Sequence, residues 1–451
     1  MIQDNNIQQP ELAWPTDRVK DIALKIGSGV TPTGGAASYN ESGVPLLRSQ
    51  NVHFDGLHLD DVAFIADETH ADMSSSQVHE HDVLLNITGA SIGRCTFVPE
   101  GFGEANVNQH VCIVRSSGRT SHKFLAYFLS SPWGQDQILS SFTGASRQGL
   151  SFKELGSIRL PLPSLAEQER IATYLDASCA ALDAAMAAKR RQLDTLESLW
   201  KTTTLQVLSE GLRPDVPLKD SGIESIGMIP SHWQVKQLRY AGEVNYGKTL
   251  QLEKGQTVGD GVRILTVRNI TIDGQFNLED EFYIPPDELS TSDYLQSGDL
   301  LFNWRNGSQY HIGKTAFFDL KGEFTHVSFL LRIRCQRELF PFFLRSYLFV
   351  LKNSGFFSGA KDKVNKTFNS TELNRLRVLV PPMEEQKEIS LVIEKKYQEF
   401  KDLRNNIATQ ITTLLAYRKS LIHECITGQR RITEADVARV EKKEPDEWRS
   451  K

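Results

Sequence analysis

Leu160-Pro161-Leu162-Pro163-Ser164-Leu165-Ala166-Glu167-Gln168-Glu169 is followed by more than 40 residues without proline or glycine, up to Gly211. The arrangement returns at Val378-Leu379-Val380-Pro381-Pro382-Met383-Glu384-Glu385-Gln386-Lys387, whose uninterrupted run lasts to Gly428. A proline, early carboxylates at the positive end of the helix dipole, and a closing glycine predict one long helix in each place. The step from Gln168 to Gln386 is 218 positions (386 − 168), and it recurs outward from these helices. Leu46-Leu47-Arg48-Ser49-Gln50-Asn51-Val52, with Asp55-Gly56, aligns with Ile264-Leu265-Thr266-Val267-Arg268-Asn269-Ile270, with Asp273-Gly274, at the same step (269 − 51). Asp82-Val83-Leu84-Leu85-Asn86 aligns with Asp299-Leu300-Leu301-Phe302-Asn303 at 217 (299 − 82). A period this long marks a duplicated two-part unit, not a solenoid built from short repeats.

The first part of each copy reads as mixed α/β. Val83 to Ile87, Val111 to Val114, Val262 to Val267 and Phe329 to Ile333 are β-rich runs between Gly, Asn and Asp turns, while Phe124 to Phe128 and Phe342 to Phe349 look helical. The second part carries a heptad seam. Leu175, Leu182, Lys189, Leu196 and Thr203 form one row, and Cys179, Met186, Leu193, Trp200 and Val207 the other. The same step carries the first row onto Ile393, Phe400, Ile407, Leu414 and Leu421, and the second onto Tyr397, Arg404, Ile411, Arg418 and Cys425. Helices of this length run roughly 60 Å at about 1.5 Å per residue. An antiparallel pair spares the connection 211–232, with Pro214, Pro217 and Pro230, a return along the whole rod. The fold class predicted is therefore α+β: two α/β domains separated by two long helices in an antiparallel coiled coil, with an internal pseudo-two-fold repeat.

At 451 residues the chain exceeds one ordinary core, and 40% hydrophobic with 24% charged residues is a globular balance. The polar start Met1-Ile-Gln-Asp-Asn-Asn-Ile-Gln-Gln-Pro10 lacks the order of a signal peptide, and no stretch has the roughly 18 apolar residues of a membrane span. The reading predicts a cytoplasmic chain with no membrane partner. Cys95, Cys112, Cys179, Cys335 and Cys425 are scattered, which predicts reduced thiols without metal. The formal net charge is −5, but from Pro341 to Val380 seven basic side chains face two acidic ones. Acidic residues gather elsewhere, at 60–72 and 279–288. A basic surface beside acidic flanks fits a DNA groove with protein-facing surfaces around it.

Two unlike globular domains at fixed separation suit a split, asymmetric DNA site, because the duplex backbone is itself two-fold symmetric. Thr143-Gly144-Ala145-Ser146-Arg147-Gln148-Gly149-Leu150-Ser151-Phe152, continuing through Leu155, Ile158 and Leu160-Pro161-Leu162-Pro163 to Glu167-Gln168, resembles the junction between recognition domain and conserved helix in Type I restriction-modification specificity subunits. Asp220-Ser221-Gly222-Ile223-Glu224-Ser225-Ile226-Gly227-Met228-Ile229-Pro230-Ser231-His232-Trp233 is similar to the opening of the second recognition domain there. The second copy departs from the first at Ser358 to Phe368, which is more basic and lacks the Gln-Gly-Leu-Ser run. The resemblance implies target-recognition domains at 12–165 and 233–383 and conserved helices at 166–210 and 384–428, with a linker at 211–232 and a tail at 429–451. It implies double-stranded DNA as ligand, two methyltransferase subunits docked on the helices, and a restriction and translocase subunit joining them. S-adenosylmethionine is then expected on the methyltransferase, with no cofactor in this chain.

The turns that can donate to base edges and phosphates place Arg94, Arg147, Gln148, Lys153, Arg305, Asn306, Lys361, Lys363 and Lys366 at the DNA face. Seam residues Leu175, Leu182, Leu193, Leu196, Ile393, Phe400, Ile407 and Leu414 are the candidates for the partner-binding platform. No catalytic residue is predicted. The Asn-Pro-Pro-Tyr/Phe motif of adenine methyltransferases is absent, as are HExxH and a cysteine-histidine zinc spacing. Gly242-Glu243-Val244-Asn245-Tyr246-Gly247-Lys248-Thr249 matches the phosphate-loop pattern in letters, but the turn at Gly259-Asp260-Gly261 leaves no room for the helix that such a loop must open. Glu394-Lys395-Lys396 lies on the coiled coil and reads as a solvated face, and the spacing of His79, His81 and His110 defines no metal site. The alternative is a coiled-coil adaptor that binds proteins through its globular ends. It accounts for the rod and the acidity but not for the basic loop of the second copy.

Overall fold

The computed structural model describes residues 12–32, 34–35, 39–141, 149–249, 261–305, 311–358 and 367–442. The chain divides into two compact units, residues 1–190 with 409–451 and residues 191–408. The two long helices, Leu165–Glu210 and Met383–Thr427, each give one part to each unit.

The units repeat one strand order. In the first, Ala23–Ser28, Val111–Ser116, Val83–Asn86 and Cys95–Phe97 lie side by side, all antiparallel. In the second, Gly242–Tyr246, Leu330–Cys335, Leu300–Asn303 and Thr315–Phe317 follow the same order. A smaller sheet centres on Val44–Leu47 in the first unit, between antiparallel Ala63–Ile65 and parallel Asn106–Val107. Its counterpart is Val262–Leu265, between Tyr283–Ile284 and Phe324–His326.

Val83–Asn86 is buried at every residue because its two faces feed different cores. Val83 and Leu85 pack with the helix residues Phe124 and Phe128, while Leu84 packs with Leu47, Val107 and Ile113 on the side of the smaller sheet. Leu300 and Phe302 likewise join Phe343 and Tyr347, and Leu301 joins Ile264 and Phe318. Each four-stranded sheet is thus the middle layer between helices and a second sheet. A continuous apolar run is what a strand in that position needs.

The Glu-Gln pair that opens each long helix ties it to its domain. Gln168 is fully buried; its Oε1 accepts from Thr120 Oγ1 at 2.9 Å and from the Ser121 N–H at 2.8 Å, and its Nε2 donates to the Pro163 carbonyl at 2.9 Å. Gln386 accepts from the Phe340 N–H at 2.7 Å and donates to the Glu338 and Pro381 carbonyls. Trp14 Nε1 donates to Glu167 and Trp233 Nε1 to Glu385, at 3.1 and 2.9 Å.

Within each unit the long helices run antiparallel. In the first, Glu167 pairs with Arg431 at 2.6 Å and Asp183 with Arg418 at 3.3 Å, so residue numbers climb on one helix side as they fall on the other. Leu175 and Cys179 share a core with Leu421, Ile422 and Cys425. In the second unit Trp200 stacks on Phe400, with centroids 5.3 Å apart, and packs with Tyr397 and Ile393. The seam follows the heptad up to Trp200 and then slips by one: Thr204 and Leu208 are the deeply buried positions, not Thr203 and Val207. A helix at 3.6 residues per turn drifts about 20° per heptad, and docking on the second domain takes up that drift.

The connection 211–232 is folded. Leu218–Asp220 pairs with Met228–Pro230, and the Arg377 guanidinium donates to the Ser221 and Gly222 carbonyls. In the tail, Glu434–Glu441 is a helix whose Val437 and Val440 pack on the first unit's core. No helix among the described residues is long and apolar enough to cross a membrane.

Candidate nucleic-acid interface

Each central strand ends in an asparagine that closes the following turn. The Asn86 N–H donates to the Arg94 carbonyl at 2.8 Å, and the Gly93 N–H to the Asn86 carbonyl at 2.9 Å. The Asn303 N–H donates to the Lys314 carbonyl at 2.8 Å, and the Gly313 N–H to the Asn303 carbonyl at 2.9 Å. Gly93 and Gly313 have φ of 86° and 84°, a conformation that disfavours any side chain. A second segment joins each turn. The Leu150 N–H donates to the Ile87 carbonyl, and the Phe368 N–H to the Trp304 carbonyl, both at 2.8 Å, while Thr367 bridges to Arg305. Leu150 and Thr367–Phe368 therefore lie beside the turn in their own unit.

Of the nine predicted DNA-face residues, Arg147, Gln148, Asn306, Lys361, Lys363 and Lys366 lie outside the described residues. Arg94 is half-buried at the end of its turn. Lys153 is exposed on the short helix Phe152–Ser157, which Ser151 and Glu154 close with a reciprocal cap. Arg305 is exposed, with its guanidinium 5.9 Å from the Phe329 ring. Lys314, the turn counterpart of Arg94, faces inward: its Nζ donates to the Ile270 carbonyl at 2.6 Å, and burial followed by the Lys352 charge lowers its pKa. The two turns share a frame without sharing a basic contact.

Sequence reasoning placed Arg305 at the DNA face but missed its neighbour Phe329 and the Thr88–His110 pair of the first unit. In the first unit the Thr88 hydroxyl and His110 Nδ1 are 2.5 Å apart, with Gln109 Nε2 3.1 Å from His110 Nε2 and Thr31 bonded to Gln109. Strand register puts Arg305 where Thr88 stands and Phe329 where His110 stands. There Phe329 is 47% exposed, and Trp304 meets Tyr246 edge to face at 5.5 Å. The available signal was the mismatch itself, two unlike pairs inside an otherwise repeated frame.

Five of the eight partner-platform candidates sit in the chain's own cores. Leu175, Ile393 and Phe400 are buried in the unit cores, and Leu182 and Leu196 pack against them. Leu193, Ile407 and Leu414 are half-buried. Apolar side chains that hold the two helices together cannot at the same time meet a partner. The outward residues are instead Leu199, Leu391, Leu403, Leu415 and Tyr417.

The phosphate-loop lookalike is an extended strand, Gly242–Tyr246, paired with Leu330–Cys335. Lys248 Nζ is bound to Asp293 at 2.8 Å, and although burial opposes ionisation, hydrogen bonds from Lys248 and Ser290 bring that carboxyl to about 2. His81 stacks on His122, and the His79 N–H donates to Asp82, so both serve the fold. Burial pushes the Cys112 thiol up to about 12, away from nucleophilic use.

The profile of the Type I restriction modification DNA specificity domain matches residues 13–195. The MjaX type I restriction enzyme specificity subunit of Methanocaldococcus jannaschii is 31% identical over 211 residues, 45% of this chain and 47% of that protein, so that match spans about half of each. The StySPI specificity subunit of Salmonella potsdam is 22% identical over 446 residues, 94% of this chain and 90% of that one. The EcoKI specificity subunit of Escherichia coli is 21% identical over 397 residues, 86% and 82% of the two chains. Among solved structures, a chain from work on assembly and conformational transition of the type I R-M system has a TM-score of 0.73 at 16% identity, covering 94% of this chain and 99% of that chain. The HsdS subunit of Thermoanaerobacter tengcongensis has a TM-score of 0.55 at 16% identity, covering 95% and 100%. The chain thus carries the specificity-domain profile over residues 13–195, aligns near end to end with the StySPI and EcoKI specificity subunits, and shares the fold of the solved HsdS subunit.

Proposed function

We propose that the chain reads DNA for a Type I restriction-modification complex, with each unit recognising one part of a bipartite, asymmetric site. The observation that carries this reading is the repeated frame with unlike side chains: Thr88 with His110 in one unit, Arg305 with Phe329 in the other. Hydroxyl, imidazole and amide groups exchange hydrogen bonds with base edges, while a guanidinium over an exposed ring suits a base edge or phosphate. Arg94, Lys153, Arg147, Gln148, Asn306, Lys361, Lys363 and Lys366 add phosphate contacts.

Two methyltransferase subunits dock on the outward faces of the long helices, where Leu391 is 72% and Leu199 61% exposed. S-adenosylmethionine belongs to those subunits, and a restriction and translocase subunit completes the complex. This chain supplies recognition and none of the bond chemistry.

The test is an exchange of residues 233–383 for the matching part of another specificity subunit, followed by methylation mapping in cells. One half of the methylated site changes, and the other half and the spacer stay. A change in both halves, or methylation without sequence preference as a protein-binding adaptor would leave it, overturns the reading.

A further inference from the structure

A histidine-rich hairpin of the first unit, remote in role from the DNA-facing turns, brings metal-binding side chains together. Val52–His53 pairs with Gly56–Leu57, and one nitrogen each from His53 and His58 and one Asp55 oxygen lie within 4.8 Å of one another. Among the described residues, this is the one group of three or more His, Cys, Asp or Glu side chains with that proximity. The imidazoles stack with centroids 4.1 Å apart, and His58 Nε2 is 3.2 Å from Asp55.

Both histidines are held by groups that leave a nitrogen for an ion. The Gln50 carbonyl lies 2.8 Å from His53 Nε2, so that nitrogen carries the proton and Nδ1 keeps its lone pair. An outer carbonyl orienting a ligating imidazole through its other nitrogen is the usual support of a metal site. The backbone of His58 is clamped from both sides. Its N–H donates to the Asn51 carbonyl at 2.9 Å, and its own carbonyl accepts from Asn51 Nδ2 at 2.8 Å. Asn51 is itself fixed, its Oδ1 accepting from the Arg48 N–H at 2.9 Å.

We propose that His53, Asp55 and His58 form a surface site for a borderline divalent cation of the zinc type, with water completing the shell. Two imidazoles and one carboxylate favour zinc, nickel or copper over magnesium or calcium, which prefer all-oxygen shells. Rotation of the exposed Asp55 and His58 side chains draws the donors to the roughly 3.4 Å spacing of a tetrahedral shell. The ion fastens the hairpin tip. The second unit repeats the clamp and the aspartate, at Asp273, but not the two histidines: Asn269 holds Asn277 as Asn51 holds His58, and Thr271 stands in the place of His53. One ion per chain follows from that difference.

Equilibrium dialysis of the full chain against Zn2+, without DNA, tests this, and its outcome is independent of the recognition reading. One Zn2+ bound per chain is expected, with a rise in thermal midpoint. His58→Asn and His53→Thr, the residues that the second unit carries, should each weaken binding at least about tenfold while leaving the far-ultraviolet spectrum unchanged. Co2+ in place of Zn2+ should give ligand-field bands without sulfur-to-metal charge transfer. No uptake, uptake unaffected by both substitutions, or a thiolate signature would each overturn the site.

Discussion

Asp82 and Arg115 form a two-pronged ion pair, Nε to Oδ1 at 2.7 Å and Nη2 to Oδ2 at 2.8 Å, and Asp299 with Arg334 repeats it at 2.7 Å for both contacts. Both carboxylates are buried, while each guanidinium keeps one edge toward solvent. Hydrogen bonding to Asp82 raises the Arg115 pKa against the opposing effect of burial. The pair fixes the start of each central strand relative to its neighbour, and so the direction of the turn at the strand's other end. Asp82→Ala leaves a half-buried charge without its partner and should cost about 3–5 kcal/mol in chemical denaturation, with Asp299→Ala doing the same in the second unit. A loss below about 1 kcal/mol would mean that solvent replaces the carboxylate and that the pair does not set the strand. The Asp-x-x-x-Asn repeat was legible in the sequence, but its arginine partners were not, because they lie more than 30 residues away on a strand whose register no local pattern fixes.

At the scale of elements, the two long helices are ordered by a seam that is apolar near the domains and mixed between them. Trp200 on Phe400 and Leu175 beside Leu421 and Cys425 anchor the pair, and Arg418 on Asp183 supplies a charged step. A heptad inserted in one helix alone would misalign these contacts; insertion in both, after Lys189 and after Ile407, preserves the register. Each helix then grows by about 10 Å, close to three base pairs at about 3.4 Å each. The double insertion should lengthen the spacer of the methylated site and leave both half-sites unchanged, as read by methylation mapping. An unchanged spacer would show that the helices do not measure the site. The heptad rows were readable because they repeat along one element, whereas the slip from Thr203 to Thr204 was not, since it follows from docking on a sheet.

For the whole molecule, acid is expected to act on both units. Burial, followed by the Arg332 charge, brings His326 down to about 4, and burial, followed by His81 and Lys123, does the same to His122. Their unfolded-state value is near 6.5, so between about 6.5 and about 4 the unfolded chain binds more protons than the folded one. Stability is complete above that window and falls as pH drops through it. For the buried His326 the loss should reach up to about 3 kcal/mol. Denaturant titrations at pH 7 and pH 5 should show the decline, and His326→Gln should reduce it; a pH-independent midpoint over this range would contradict the assignment.

The sequence by itself determined the duplication, the two long helices and the seam that pairs them, because each is a comparison made along one string. It also located the turns, since glycine and asparagine mark backbone conformations wherever they fall. The tertiary structure decided which side chains those turns present. Lys314 goes inward to the Ile270 carbonyl while Arg305 stays outside over Phe329, although both are cations in one loop region. It also decided that the seam leucines serve the chain's own cores, and that each helix belongs partly to both units. The physical reason is strand register. A slip of one residue exchanges the two faces of a strand, so the facing of Thr88, His110, Arg305 and Phe329 is set only when the sheet closes between its helices and its second sheet.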